Sequence, residues 1–381
     1  MKKILMMFRE DRKIDTYPYV FNFIKMMNSK YSIDFLVTND MYKECNVENL
    51  NLIPIKNKKY PVKCIKYILT HGKDYELVVT FGIEGIWALF YYNFLNPSKR
   101  LPGIYFSMEL FDCVKKLSRV YRILWKLFGG SVKRDLKFSV IQDEKRAEIL
   151  REDLNFVDKV YLLPNSYIGC TNETSNWAYK EYSIEENKKI LFYSGALESW
   201  AFDIDMSKYL APLFDKNFIL FLSGFSRDGY VEEIKAEYKN LIAAGKVIIN
   251  EKTLDENEYT KLVKSAYIGL PWYTKIDVLN LKDPFVRNVY YIGLSSGKLC
   301  KYLSCSIPVV LPEFYYGYKE LIQNNNFGKT SAYSVELSEK ILEIDSNYKI
   351  YKANAEIFYK NEIEYSKCAQ VIVNKIHELI D

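Results

Sequence analysis

The feature that most constrains the fold is an alternation of short apolar segments with amphipathic ones, which occurs twice along the 381 residues. In the first half the apolar runs predict strands, and the segments between several of them have helical periodicity. Strands that alternate with helices indicate βαβ units and a parallel sheet covered on both faces. The predicted strands of this half are 3–8, 33–37, 51–55, 77–80, 103–106, 138–141 and 160–163.

A polar stretch over 166–187, rich in Asn, Thr, Ser and Glu, is predicted to be a linker before the second alternation. Because 381 residues are many for a single hydrophobic core, we expect two Rossmann-like α/β domains over 1–165 and 188–352. A helical segment, 353–381, follows them. Ligands of such sheets bind at the carboxyl ends of the strands. The predicted strands of the second domain are 190–193, 218–222, 247–249, 267–270 and 307–311.

Charge and cysteine content argue against several classes of protein. A net charge of +5 is too small to indicate nucleic-acid binding, which requires a clustered basic face. The 7 cysteines are scattered without a Cys-x-x-Cys pair, which favours free thiols in a reducing compartment and argues against a zinc site. No apolar run has the length of a spanning helix, and residues 1–8 are too short for a secretory signal. We therefore expect a cytoplasmic protein.

Residues 293–310 point to a phosphate site. Ser295, Ser296 and Gly297 form a small, hydroxyl-bearing turn that opens a predicted helix, and Lys298 adds a positive charge to its first turn. A helix N-terminus presents unpaired N–H groups and the positive end of the helix dipole, so two phosphates fit there. The alternative, an ordinary serine N-cap before a core helix, is equally compatible with these residue types.

Several segments, taken in order, resemble the GT-B glycosyltransferases that build bacterial surface polysaccharides. The most specific of them ends at Pro308, before the last apolar strand of the second domain. The resemblance covers nearly the whole chain. The matching segments are 104–110, 141–147, 162–165, 191–195, 223–225 and 288–308.

This resemblance implies two Rossmann-like domains that face each other across a cleft. The first binds the acceptor, the second binds a nucleotide-sugar donor, and the C-terminal helix packs back on the first domain. It implies transfer of a sugar to a glycan or lipid-linked acceptor, with no cofactor and no metal. Retaining members often carry two glutamates that contact the donor sugar and the ribose. Here those positions are Gly293 and Lys301, so neither role is carried over.

The resemblance also suggests further donor-binding residues. Ser194 and Gly195 end a strand and would place backbone N–H groups near phosphate, although a plain tight turn explains them equally well. Gly224 ends the next strand, and Arg227 in the loop after it is a second cation whose alternative is an ordinary surface arginine. The nucleotide base is expected against the loop from Asn250 to Leu254.

Two carboxylates are candidates for a catalytic base or an acceptor-binding group. Glu109 follows the strand 103–106 and is the first choice, and Glu84 follows the strand 77–80 and is the second. Both are also compatible with a helix-cap role. His71 and His377 are rejected because neither follows a strand. Asp203 and Asp205 form an Asp-x-Asp pair before a helix, where capping is favoured over metal binding.

Residues 115–134 form a basic amphipathic segment, whose pattern fits contact with an anionic membrane and a core-facing helix equally well. The resemblance favours the membrane, and the corresponding expectation is a peripheral protein at the cytoplasmic face of the inner membrane. Two alternatives to a transferase remain at this point. One is a non-catalytic module that binds a nucleotide or a partner, and the other is a GT-B nucleotide-sugar isomerase, which the scarcity of histidine disfavours.

Overall fold

The computed structural model describes residues 1–9, 17–38, 47–56, 59–110, 134–154, 159–169 and 173–381. The chain forms two compact units, Met1–Ile168 with Tyr365–Asp381, and Gly169–Glu364. The segment predicted as helical, 353–381, is therefore shared between them, since 353–364 belong to the second unit and the rest to the first. The predicted basic helix over 115–134 lies outside the described residues, except for Arg134.

The first unit is built on a parallel sheet that has seven strands in the described residues. Its strands are β1 (Lys3–Met7), β2 (Ser32–Thr38), β3 (Leu50–Ile55), β4 (Leu77–Thr80), β5 (Gly103–Phe106), β6 (Leu136–Ile141) and β7 (Val160–Leu162). They lie in the order β3-β2-β1-β4-β5-β6-β7, so the chain reverses its direction of winding beside β1. Each of these strands matches one predicted from the sequence.

Helices cover this sheet, and one of them comes from the C-terminus. The helix Tyr365–Ile380 contributes Ala369, Ile372 and Ile376 to the core of the first unit. The Tyr365 hydroxyl donates to the carbonyl oxygen of Tyr19, 2.5 Å away. The expectation that the final helix packs on the first domain is thus confirmed. The other helices are α1 (Pro18–Met27), α2 (Tyr60–His71), α3 (Ile83–Leu95) and α4 (Glu144–Leu154).

A buried carboxylate ties three segments of the first unit together. Asp34 on β2 accepts hydrogen bonds from Lys3 (2.8 Å), Asn51 (2.9 Å) and the Tyr75 hydroxyl (2.5 Å). Burial raises the pKa of Asp34, but these donors outweigh it and the net pKa is lowered. The ionised form therefore stabilises the native state, and this stabilisation is lost as the pH falls through the lowered pKa.

We expect Asp34→Ala to lower the free energy of unfolding by about 3 kcal/mol, because it leaves the buried Tyr75 hydroxyl and the half-buried Lys3 ammonium without their acceptor. We also expect the stability of the variant to fall less steeply with decreasing pH than that of wild type. Denaturant titration at neutral and acidic pH measures both effects. Asp215→Ala is the control, since Asp215 pairs with Lys246 at an exposed site and should contribute little. Equal effects of the two substitutions would contradict the assignment.

The second unit has its own parallel sheet, with six strands in the described residues. Its strands are β8 (Lys189–Ala196), β9 (Phe218–Phe225), β10 (Val247–Asn250), β11 (Ile268–Gly269), β12 (Val309–Pro312) and β13 (Gly328–Ser331). Their order is β10-β9-β8-β11-β12-β13, which again places a reversal of winding beside the first strand. Strand β13 was not predicted, because its sequence is polar and it pairs with β12 alone at the edge.

The helices of the second unit pack on both faces of this sheet in two hydrophobic clusters. The predicted linker 166–187 contains one of them, and its Ala178 is fully buried in the core. Glu336–Ser346 and Pro284–Tyr290 are helices that the sequence analysis missed. The helices are α5 (Trp177–Glu181), α6 (Met206–Leu210), α7 (Tyr230–Glu237), α8 (Lys239–Ala243), α9 (Glu256–Lys264), α10 (Pro284–Tyr290), α11 (Gly297–Ser304), α12 (Tyr316–Asn325), α13 (Glu336–Ser346) and α14 (Tyr348–Phe358).

Candidate functional site

The candidate site lies in the second unit, at the carboxyl ends of β8 and β9 and the N-terminus of α11. Strands β8 and β9 pair along their whole length, and Gly195 lies opposite Gly224 one residue before both strands end. A Cβ atom on Gly224 would lie only 1.7 Å from the carbonyl oxygen of Gly195. Gly195 itself has a φ of +133°, which few other residues adopt. Both glycines are therefore required by the backbone, and the Gly195 N–H belongs to the hydrogen-bond ladder between β8 and β9 rather than facing a ligand as expected.

Helix α11 begins at the predicted turn, and Ser296 is its N-cap. The Ser296 hydroxyl accepts from the Leu299 N–H at 3.3 Å and lies 3.3 Å from the Tyr273 hydroxyl. The Ser295 hydroxyl donates to the Ile292 carbonyl oxygen at 2.5 Å. The two serine side chains thus shape the turn. Helical geometry leaves the N–H groups of Gly297 and Lys298 without intrahelical acceptors, so they are available to an anion.

Lys298 extends from this turn toward Gly195. Its Nζ atom lies 3.5 Å from the position that a Cβ on Gly195 would take, and it donates to the Trp272 carbonyl oxygen at 2.8 Å. The rings of Tyr193 and Tyr273 flank the ammonium, with centroids 4.3 and 3.8 Å from Nζ. The ammonium is therefore fixed next to the glycine turn by one carbonyl and two aromatic faces.

Burial lowers the pKa of Lys298 well below its ordinary value, and no acidic side chain of the described residues offsets this effect. Removing an ammonium from water disfavours its charged form. A bound anion would reverse the shift, because its charge stabilises the protonated amine. Lys298 is consequently a cation whose environment becomes favourable when a negative ligand arrives.

Ser194 is held inside the protein, in contrast to the role we expected for its amide. Its N–H donates to the Tyr302 hydroxyl at 3.0 Å, and its own hydroxyl lies 2.9 Å from the Tyr259 hydroxyl. The physical reason is that the Tyr302 ring occupies the space beside Gly269, where a Cβ would lie 2.5 Å from it, and so reaches β8 from α11. Ser194 thus has a structural role, since it links the end of β8 to the side chains of Tyr302 and Tyr259.

The remaining donor-site candidates lie farther along the same edge of the sheet. Asn250 ends β10, is buried, and donates to the Ser223 hydroxyl at 3.1 Å, so it joins the ends of β10 and β9. Leu254 packs against the hydrophobic core. Arg227 is exposed, and its guanidinium lies 5.3 Å from the centre of the Phe225 ring.

The two positions at which the resemblance places glutamates are occupied differently here. Gly293 is buried and has a φ of +41°, a left-handed conformation that favours glycine. Lys301 is buried on α11, and its ammonium donates to Glu256 at 2.6 Å and to the Thr260 hydroxyl at 2.7 Å. Lys301 therefore links α11 to α9.

The two candidate carboxylates of the first unit are each paired with an arginine. Glu84 lies in the first turn of α3 and accepts from Arg9 at 3.0 Å. Glu109 lies 3.8 Å from the guanidinium of Arg146, which is fully buried on α4. Arg146 was not predicted as a site residue, because nothing in the residues alone shows that this helix turns an arginine inward. Both carboxylates follow parallel strands, where that unit would bind a ligand.

Asp203 and Asp205 are engaged with groups of the protein. Asp203 accepts from the backbone N–H of Asp205 at 3.0 Å, and Lys208 donates to Asp205 at 2.6 Å. Asp205 occupies the N-cap position of α6, but its side chain accepts no hydrogen bond from a backbone N–H of the helix. The expected capping bond is therefore absent, and a turn stabilised by Asp203 precedes the helix instead.

The architecture is similar to that of several solved structures. No protein-family model and no curated protein matches the chain. Among solved structures, HepE of Anabaena in complex with UDP and glucose is 13% identical over 99% of this chain and 100% of its own, with a TM-score of 0.69. A glycosyltransferase from Rickettsia africae is 15% identical over 100% and 99%, with a TM-score of 0.73.

WaaG, described as a glycosyltransferase of lipopolysaccharide biosynthesis, is 14% identical over 97% and 99%, with a TM-score of 0.62. Likeness at such low identity establishes the fold. Together with the two parallel sheets and the C-terminal helix that belongs to the first unit, it shows that this chain has the GT-B fold of these glycosyltransferases.

Proposed function

We propose that this protein is a glycosyltransferase that moves a sugar from a nucleotide-sugar donor to a glycan or lipid-linked acceptor in surface polysaccharide synthesis, without a metal. The observation that carries the proposal is the position of Lys298. A desolvated amine, paired with no carboxylate among its described contacts, lies beside the Gly195 turn and in the first turn of α11. A diphosphate is a ligand whose charge fits this set of donors.

The same arrangement suits the chemistry of glycosyl transfer. Negative charge accumulates on the departing nucleoside diphosphate as its bond to the sugar breaks. Preorganised N–H donors and a cation stabilise that charge most effectively where water is excluded. We propose that the Lys298 ammonium and the backbone N–H groups of Gly297 and Lys298 perform this role, with Gly195 lining the phosphate site beside them. Arg227 and Gly224, near the carboxyl end of β9, would also line the phosphate site, and residues 250–254 would contact the base.

The acceptor is assigned to the first unit. Glu109 would accept the proton of the attacking hydroxyl or bind the acceptor, and Glu84 is the second choice. Each of these carboxylates lies within ion-pair distance of an arginine. HepE, which is similar in fold, has been solved with UDP-glucose, and WaaB, also similar, is described as a lipopolysaccharide galactosyltransferase. These neighbours support a sugar nucleotide as donor and a surface glycan as product.

The proposal includes a location at the cytoplasmic face of the inner membrane, reached through residues 115–134. Among the helices that the structure describes, none is long and apolar enough to cross a membrane. A non-catalytic nucleotide-binding module is the second candidate. It is favoured because Gly293 and Lys301 stand where retaining members of the family often carry two glutamates, and Lys301 is paired with Glu256.

A thermal-shift screen with UDP, GDP, ADP and dTDP, each with EDTA or with Mg²⁺, tests donor binding. One diphosphate is expected to stabilise the protein equally under both conditions. At about a hundredfold excess over Kd the added stability is roughly 2.7 kcal/mol. A stabilisation that requires Mg²⁺ would contradict metal-independent binding, and no response to any diphosphate would contradict the function. Release of the diphosphate in the presence of acceptor distinguishes the transferase from the non-catalytic module.

A further inference from the structure

The loop that follows Gly195 contains an aromatic side chain and a carboxylate that the proposed phosphate site does not use. Trp200 is 46% exposed although it is the largest side-chain type, and its indole N–H donates to Oε2 of Glu198. The edge of Phe285, itself 42% exposed, meets Trp200 with the ring centroids 5.8 Å apart. An indole fixed by a hydrogen bond and left open on one side is built to receive a flat, partly apolar ligand.

Glu198 has an oxygen that still needs a donor. Its side chain is only 9% exposed, and Oε1 is buried with no hydrogen-bond partner among the described residues. Buried carboxylate oxygens are almost always satisfied, because an unpaired one loses its hydration without compensation. A ligand hydroxyl brought against Trp200 would supply a donor to this carboxylate after a small movement of the side chain.

Hydrogen bonds connect this loop to the residues around Lys298. The Thr274 hydroxyl donates to the Ser199 carbonyl oxygen at 2.8 Å, and two residues earlier Trp272 accepts from Lys298. The Tyr193 hydroxyl lies 3.0 Å from the carbonyl oxygens of both Ala196 and Ala201, while its ring faces the Lys298 ammonium. Hydrogen bonds therefore hold the loop and the Lys298 ammonium in fixed positions near each other.

From these contacts we infer that Trp200 and Glu198 bind the pyranose ring of the donor. The inference rests on the proposed function, because it places the sugar next to a pyrophosphate bound at Lys298. The C–H face of a pyranose is apolar and packs on an indole, while its hydroxyls donate to a carboxylate. Trp200 lies between Ser199 and Ala201, whose carbonyl oxygens are bonded to Thr274 and Tyr193 next to Lys298, and this holds the indole on the same side of the site as the proposed pyrophosphate.

The test separates binding of the sugar from binding of the nucleotide. Isothermal titration of wild type, Trp200→Ala, Trp200→Phe and Glu198→Ala uses UDP and UDP-glucose, and GDP and GDP-mannose. The measured quantity is the ratio of the Kd for the nucleotide-sugar to the Kd for its diphosphate. We expect Trp200→Ala and Glu198→Ala to raise this ratio about tenfold, equivalent to about 1.4 kcal/mol, with the diphosphate Kd unchanged within about twofold.

Trp200→Phe keeps a ring and should fall between wild type and Trp200→Ala. Phe94→Ala is the matched control, because Phe94 is an exposed aromatic residue of the first unit, and its ratio should equal that of wild type. An unchanged ratio in Trp200→Ala, with the diphosphate still bound, would overturn the sugar subsite and leave the proposed function intact. Failure of wild type to bind any diphosphate would overturn both.

Discussion

Lys298→Met is expected to weaken binding of the nucleoside diphosphate about a hundredfold, because removing one partner of a desolvated charged pair costs roughly 2–5 kcal/mol. Without ligand, the same variant should be more stable than wild type, since the methionine carries no ammonium that must be desolvated. A variant that binds the diphosphate less tightly but is more stable would show that burial of the Lys298 ammonium costs stability and serves ligand binding. Isothermal titration and denaturant unfolding measure them separately.

Lys99→Met is the matched control for this substitution. Lys99 also donates to a backbone carbonyl oxygen, that of Lys73 at 2.7 Å, but it is exposed and lies in the first unit. Its replacement should leave both diphosphate binding and stability near the wild-type values. A Lys298→Met protein that binds diphosphate like wild type would contradict the phosphate site.

The lowered pKa of Lys298 also predicts how binding depends on pH. In the free protein the amine loses its proton at a pH below the usual range for lysine, and a bound anion raises that pKa again. Between the two pKa values, binding therefore takes up a proton and the affinity falls as the pH rises. Titrations in buffers of different ionisation enthalpy count this proton. Lys298→Met should abolish the uptake, and equal uptake by both proteins would contradict the assignment.

The second large effect is expected at Gly224. A methyl group there would lie 1.7 Å from the Gly195 carbonyl oxygen, so Gly224→Ala must push apart the ends of β8 and β9. Overpacking of this kind costs about 3 kcal/mol or more of stability. The displaced end of β8 should also shift Gly195 relative to Lys298, and diphosphate affinity should fall with it. Chemical denaturation and isothermal titration of the purified variant test both results.

Gly245→Ala separates the steric effect from the general cost of replacing a glycine. Gly245 has a φ of +67°, but no atom lies within 4 Å of the position that its Cβ would take. Only the backbone conformation then opposes alanine, at a cost of about 1 kcal/mol. Diphosphate binding should be unchanged in this variant. If Gly224→Ala were no more destabilising than Gly245→Ala, the close approach of the two strands would be disproved.

Most of the fold was predictable because buried parallel strands contain nearly continuous apolar runs, as in residues 77–79 and 218–222. Edge strand β13, with the sequence Gly-Lys-Thr-Ser, lacks that signal, since its pairing comes only from β12. The division of the C-terminal segment at 364/365 was also not predictable. Both sides of that division are helical, and only the packing of Tyr365 and Ile372 assigns the last helix to the first unit.

For the site, the sequence predicted which segments carry the chemistry but not how they are arranged. Gly195, Gly224 and Lys298 were identified from strand ends and a helix start. Their environment depends on contacts across the fold, such as the Tyr193 ring and the Trp272 carbonyl that hold the Lys298 ammonium. Glu198 and Trp200 were missed for the same reason, because burial of a carboxylate in a loop leaves no pattern in the residues.

A crystal structure of the protein with its preferred nucleoside diphosphate, grown in EDTA, would show directly which groups hold the pyrophosphate. We predict that pyrophosphate oxygens accept hydrogen bonds from Lys298 Nζ and from the backbone N–H groups of Gly297 and Lys298, beside Gly195, with no metal between them. A diphosphate bound elsewhere on the second unit, with the Lys298 ammonium still bonded only to Trp272, would contradict the account.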